Sequence, residues 1–310
     1  MNKKMFKSYS GQFLSWFASS LTIAACLGII IYVFVMGYKS LNLNFIFTEP
    51  NPTQDESMVG GISTPIAGTL LLTAIGTLLA FPWALGTAIY LSEYAKKNII
   101  TQLFRLGIDV LAGVPTIVIA IFGVAIFSNP FFGFLSSKVE VEGVSKVFGK
   151  SFFVAGITMA IMILPFVIKT CEEAIKSVPD SYREGSLAMG ASKWYTIIKI
   201  VIPSASNGII AAIVLGMGRI IGDTAIVVLT LGATIRMTGL QPWWTPDNWI
   251  STLQNTGSTL TTYIYHMSPA GYGNMPEKAF GASLVLIVVI ILLNLMTDFL
   301  VSNKKITKED

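Results

Sequence analysis

Arg219 and Asp223 are the charged residues best placed to do chemistry in this chain. They stand four apart in GRIIGDTA (218–225), with Thr224 beside them, inside an apolar run. On a helix that spacing puts both side chains on one face. A charge at the centre of a spanning helix costs about 2.5–3.5 kcal/mol by insertion scales, so such residues turn to the bundle interior. Two readings stay open. The pair neutralises itself as a structural unit, or Arg219, Asp223 and Thr224 line a path for an anion. Arginine suits an oxyanion because its planar fork donates two parallel charge-assisted bonds. A negative neighbour would keep binding weak enough for release, and Asp223 is expected to hold Arg219 partly neutralised until the anion arrives.

Other reactive residue types are scarce. There is one histidine, His266, and its neighbours in sequence are not metal ligands. The two cysteines, Cys26 and Cys171, sit in or beside apolar runs and do not form a disulfide framework. Gly149-Lys150-Ser151 ends like a phosphate-binding loop, but the position of its first glycine is Val144. No nucleophile–base set is present, so an enzyme is not expected. Thr69, Thr73 and Thr77, with Gly76 and Ala80, form a small-residue stripe suited to close helix packing.

A second stretch is polar where its surroundings are not: EGSLAMGASKWYTIIKIVIP, residues 184–203. Pro179-Asp180-Ser181 is a helix-start signal, and a short helix over 181–189 is expected. Gly190 allows a sharp turn because it tolerates positive φ. Ser192 can cap a second helix whose apolar face is Trp194, Ile197, Ile198, Val201 and Ile202. Pro203 should end it. The unit reads as a compact helix–turn–helix knob, either anchored in lipid headgroups or offered to a partner.

The elements that must position these residues follow from composition. The chain has 310 residues, 53% hydrophobic and 12% charged, where a soluble domain carries about 25% charged. That is a polytopic membrane protein. The net charge of +4 is too small to suggest nucleic-acid binding. Spanning helices are expected over about 13–36, 66–91, 108–127, 152–169, 207–231 and 280–301, with Pro82 and Pro115 inside the second and third. The first is too long for a signal peptide and reads as an uncleaved span. Most of the 21 basic residues lie in the amino terminus, 92–107, 169–206 and the carboxyl terminus. By the positive-inside rule both termini and the knob are therefore cytoplasmic. In the longest outer segment, 232–279, Trp243, Trp244 and Trp249 suit the membrane interface.

Glu184-Gly185-Ser186, three residues, Gly190, nine residues and Ile200-x-Ile202-Pro203 resemble the EAA motif of ABC importer permeases, E-A-A-x3-G-x9-I-x-L-P. Gly185 and Ser186 replace two alanines, and Ile202 replaces a leucine. The resemblance implies a coupling helix, carried by Glu184, Gly185, Ser186, Gly190, Ile200 and Pro203, that docks into a separate ATP-hydrolysing subunit. Residues 60–95, 109–123, 172–194 and 218–225 are similar to the phosphate importer permeases, nearer the PstA type. Where those show R-x-x-G-E, this chain has Gly222-Asp223.

The resemblance implies an all-α polytopic fold of six transmembrane helices with a cytoplasmic coupling helix. It divides the chain into 1–57 (tail, first helix and outer loop), 58–303 (permease domain with coupling loop 172–203) and 304–310 (cytoplasmic tail). It implies a heterodimer with a homologous permease, two copies of an ABC ATPase that bind ATP and Mg, and an extracytoplasmic phosphate-binding protein. The chain itself would hold no cofactor. It would sit in a bacterial or archaeal cell membrane. Alternatives are a permease for sulfate or molybdate, or a membrane signalling or scaffold component.

Overall fold

Long apolar runs become helices because hydrocarbon offers the backbone no hydrogen-bond partner. The computed structural model describes residues 3–51, 60–96, 98–136, 138–141, 144–232 and 234–306. The expected boundary at 57/58 and most of the tail 304–310 lie outside them. In chain order, α1 (Lys3–Gly37) leads through α2 (Leu43–Phe47) to α3 (Ser63–Ile89), whose end widens into a π-helical turn, Tyr90–Tyr94. Next come α4 (Ile99–Gly113), α5 (Thr116–Phe127), a hairpin of β1 (Lys138–Val141) and β2 (Val144–Val147), and α6 (Phe152–Lys176). The polar stretch holds α7 (Asp180–Ala188), α8 (Lys193–Thr196), a π-helical turn Ile197–Val201 and α9 (Ile202–Ser204). Then follow α10 (Ser206–Gly222), α11 (Ala225–Thr230), α12 (Trp249–Gln254), α13 (Leu260–Met267) and α14 (Pro276–Ile306).

Four helices, α1, α3, α6 and α14, are long and apolar enough to cross a membrane. Two bent pairs bring the number to six if each is one span: α4 with α5, and Lys193–Ser204 with α10. The all-α polytopic architecture stands, and its β structure among the described residues is one antiparallel hairpin, Lys138 opposite Val147, and a single bridge between Pro50 and Gly60.

Two expected spans are not continuous. The third is broken between Gly113 and Thr116, and α4 and α5 meet at 100°. Pro115 forces the break: a residue before proline is pushed out of the helical region, and Val114 has ψ 128. The fifth is broken at Asp223, which leaves the helix with φ −83 and ψ 124. Pro82 and Pro165 lie inside α3 and α6 without ending them.

The main core lies where α3, α6 and α10 cross. A Cβ on Gly156 would lie 2.4 Å from Ile75 Cγ2, and one on Gly76 2.9 Å from Ile220 Cδ1. The threonine stripe serves this packing. Thr69 and Thr73 are buried and donate to the carbonyls of Pro65 (2.8 Å) and Thr69 (2.6 Å). Thr69 also accepts the Leu260 N–H at 2.9 Å, tying α13 across α3. A smaller core of Phe45, Leu260, Tyr263, Met267, Ala279 and Ala282 joins α2, α13 and α14. Gly149-Lys150-Ser151 is structural: Ser151 caps α6 by accepting the Val154 N–H at 3.1 Å and donates to the Leu135 carbonyl at 2.6 Å.

Candidate functional site

Arg219 sits in the last turn of α10, exposed along its edge. Its guanidinium carbon lies 5.6 Å from the centre of the Phe166 ring, over the face of α6. The two residues line a cavity of about 160 Å³ with Leu111, Val114, Thr116 and Lys169. The break between α4 and α5 opens this cavity, since Val114 and Thr116 flank the proline. Thr116 begins α5, whose first turn has no side-chain cap. Free N–H groups at a helix start favour an anion. Two basic residues, Arg219 and Lys169, and the first residue of α5, Thr116, therefore line one small volume.

Asp223 does not join them. The expected helical pairing with Arg219 is overturned, because α10 ends at Gly222. The Asp223 carboxylate instead accepts the Ile226 N–H at 2.8 Å and caps α11. Aspartate competes with helix by this kind of local bond. Thr224 follows in the break, partly buried, with no side-chain cap bond. Among the described residues Lys169 carries an ion pair, at 2.5 Å from Asp109, and Arg219 carries none. Sequence reasoning counted Lys169 only toward orientation. Its signal was a lone cation at the end of an apolar run.

The polar stretch folds close to expectation. α7 starts after Pro179, Gly190 turns with φ +81, and Ser192 accepts the Tyr195 N–H at 3.3 Å. Glu184 and Gly185 are exposed on α7, and nothing lies within 4 Å of a Cβ built on Gly185. Ser186 is buried and shares a 2.8 Å hydroxyl bond with Thr196, which closes the two arms of the turn. Ile200 is partly buried and Pro203 exposed. Two details differ. Pro203 does not end the helix, which runs on to Ser204 before bending 67° into α10. The apolar face is narrower: Ile197 and Val201 are buried, but Trp194 is 60% exposed. The π-helical turn shifts the register. Around the turn, Ser186, Met189, Gly190, Ala191, Ser192, Tyr195 and Ile200 line a shallow concavity of about 520 Å³, and Tyr182, Leu187 and Trp194 of the same stretch are exposed.

Ion pairs fasten this unit and the base of α6 beside it. Arg105 and Lys176 both bind Glu172, at 2.7 and 2.6 Å. Arg183 binds Glu93 at 2.8 Å. Lys176 and Glu172 stand four apart on α6, but the Arg105–Glu172 and Arg183–Glu93 pairs could not be read from spacing.

Residues 81–303 match the family of binding-protein-dependent transport system inner membrane components. The chain is 29% identical to a probable ABC transporter permease protein, YqgI, of Bacillus subtilis, over 97% of this chain and 96% of that one. It is 31% identical to the phosphate transport system permease protein PstA 1 of Mycobacterium tuberculosis, over 77% of this chain and 70% of that one. Its fold is similar to that of a permease chain in a bacterial alginate ABC transporter, with a TM-score of 0.61 at 16% identity, covering 95% of this chain and 96% of that chain. The bent spans, the polar helical turn between them and these matches agree, and the chain belongs to the family of binding-protein-dependent transport system inner membrane components, the membrane permeases of ABC importers.

Proposed function

We propose that this permease carries inorganic phosphate into the cell. The observation behind the proposal is the cavity lined by Arg219, Lys169 and Thr116, the residue at the uncapped start of α5. Guanidinium, ammonium and free N–H groups are the donors a small tetrahedral oxyanion requires. A permease relative named for phosphate supports the choice. Arg219 and Lys169 bind the anion. Asp109 is the counter-charge that gives way to it, in place of the role sequence reasoning gave Asp223. Asp223 and Thr224 belong to the path as the break in the span, not as a partner of Arg219.

Residues 58–303 form the transporting domain, paired with a homologous permease as a heterodimer. Two ATPase copies dock at the segment of Glu184, Gly185, Ser186, Gly190, Ile200 and Pro203, on the cytoplasmic side with both termini. A binding protein delivers phosphate outside. ATP binding biases an equilibrium between outward-open and inward-open states, by no more than its differential affinity for the two.

The test is uptake of radiolabelled phosphate by phosphate-starved cells lacking this chain, restored with the wild-type chain, with excess sulfate present. Restored uptake that sulfate leaves intact supports phosphate. Uptake abolished by sulfate moves the reading to another oxyanion. No uptake, with the chain in the membrane and ATPase bound, favours a signalling component.

A further inference from the structure

The docking segment is covalently continuous with α6 and α10 but not with α3. It grips α3 through side chains. Glu93, in the π-helical turn that ends α3, accepts hydrogen bonds from Arg183 Nε at 3.1 Å and Nη2 at 2.8 Å, across 90 positions of sequence. The same guanidinium donates to the Val178 carbonyl at 2.6 Å and the Ile175 carbonyl at 3.0 Å, and reaches Asp180 at 3.3 Å. The Glu93 and Arg183 side chains are 8% and 17% exposed. From the other arm of the turn, Lys193 donates to the Glu93 carbonyl and holds its ammonium 4.6 Å from the Tyr94 ring centre. Both arms, α7 and α8, thus close on the last turn of α3.

The two covalent exits of the segment are bends: Ser177–Pro179 after α6, and the 67° corner before α10. A push on the segment could be absorbed at either. The grip on α3 has less slack, because Nε and Nη2 of one guanidinium converge on Glu93 Oε1 while the Val178 and Ile175 carbonyls hold that guanidinium in orientation. α3 in turn packs against α10 one residue from Arg219, where Gly76 meets Ile220.

We propose that the Glu93–Arg183 pair is the joint that makes α3 move with the ATPase-docking segment, and that Glu93 is a positioning residue for transport. The proposal rests on reading residues 180–204 as the ATPase contact. Glu93→Gln keeps size and one acceptor oxygen, and Arg183 keeps its two carbonyls and Asp180, so the chain has the means to fold.

The test uses the complete transporter in liposomes, with its partner permease, ATPase and binding protein, and measures phosphate uptake and ATP hydrolysis in the same vesicles. For Glu93→Gln the phosphate moved per ATP is expected to fall at least about fivefold, the low end of coupling between linked sites, while hydrolysis continues. Glu93→Asp should restore most of it. An unchanged ratio, whether both activities fall together or neither falls, overturns the joint.

A second measurement needs no phosphate. Spin labels at Trp83→Cys on α3 and Leu187→Cys on α7, in a chain carrying Cys26→Ser, report the distance between the two bodies. Trapping with ATP and vanadate should leave that distance unchanged with Glu93 present and shift it in the Glu93→Gln chain. The same distance change in both chains overturns the joint. A wild-type complex that moves no phosphate but passes this distance test rejects the substrate and keeps the joint.

Discussion

The Lys169 ammonium lies 2.5 Å from the Asp109 carboxylate, closing the seam between α6 and α4 beside the cavity that Arg219 lines. Both side chains are about half exposed, at 46% and 57%. Such a pair contributes about 0–1 kcal/mol to stability, so it can open at small cost. That suits a counter-ion that must yield to an arriving anion. Lys169→Gln and Arg219→Gln are each expected to lower phosphate uptake about ten- to a hundredfold, since hydrogen bonds to charged groups are worth about 1.5–3 kcal/mol. Asp109→Asn should act differently, lowering both the half-saturating phosphate concentration and the maximal rate. Initial-rate uptake over a phosphate series separates the two patterns.

Gly185 and Gly190 should respond oppositely to alanine. Gly190 has φ +81, and a side chain there costs about 1–2 kcal/mol although the space is open. Gly185 lies in a right-handed helix with nothing within 4 Å of the added carbon. Gly185→Ala is expected to stabilise by about 0.5–1 kcal/mol. Melting of the purified chain, with co-purification of the ATPase subunit, reads both. Gly190→Ala should lower the midpoint and loosen the partner, and Gly185→Ala should do neither.

Glu172 is 7% exposed and receives Arg105 and Lys176 on one carboxylate oxygen, Oε1. Glu172→Gln removes the charge that both cations share. Arg105 and Lys176 are themselves 39% and 54% exposed and can regain water. The expected loss is therefore about 1–3 kcal/mol rather than the larger cost of stranding a buried charge. Thermal unfolding should show it, and high salt should narrow the gap between variant and wild type.

His266, on α13 outside the spanning segments, is held below the usual histidine range by burial, and its Nδ1 has no hydrogen-bond partner among the described residues. The folded chain favours the neutral ring. The unfolded chain takes up a proton as pH drops below about 6.5. Stability is thus full above that value and is lost as pH falls toward the lower folded value. His266→Phe should flatten this part of the melting profile. An equal slope in both chains would show that His266 is not its source.

Long helices were legible because hydropathy reports them directly: α1, α3, α6 and α14 all appear where apolar runs lie. The turn at Gly190 was legible because Pro179, Gly190 and Ser192 each have one strong local preference. The breaks were not. Pro82, Pro115 and Pro165 look alike in sequence, yet only Pro115 ends a helix, while α3 and α6 run on through the other two. Asp223 was read as a helical partner because spacing cannot tell a face from a cap. The pairs Lys169–Asp109, Arg105–Glu172 and Arg183–Glu93 join segments far apart, and only the packing of α4 on α6 and of α7 on the end of α3 brings them together.

The helix α4 has its charges toward α6 and its greasy side chains outward: Ile99, Ile100, Leu103, Phe104 and Val110 are each more than half exposed, while Arg105 and Asp109 bind α6. In water that arrangement would roll over. Hydrocarbon around the protein is what keeps it the right way up, so one wall of the Arg219 cavity is held in place from outside. Membrane thickness then becomes a setting of the cavity: a helix pressed by a thinner bilayer tilts or shifts to keep its greasy side covered. Uptake in liposomes of graded acyl-chain length should change with thickness in the wild-type chain. Phe104→Ser, which weakens the hold of the lipid on α4, should blunt that response.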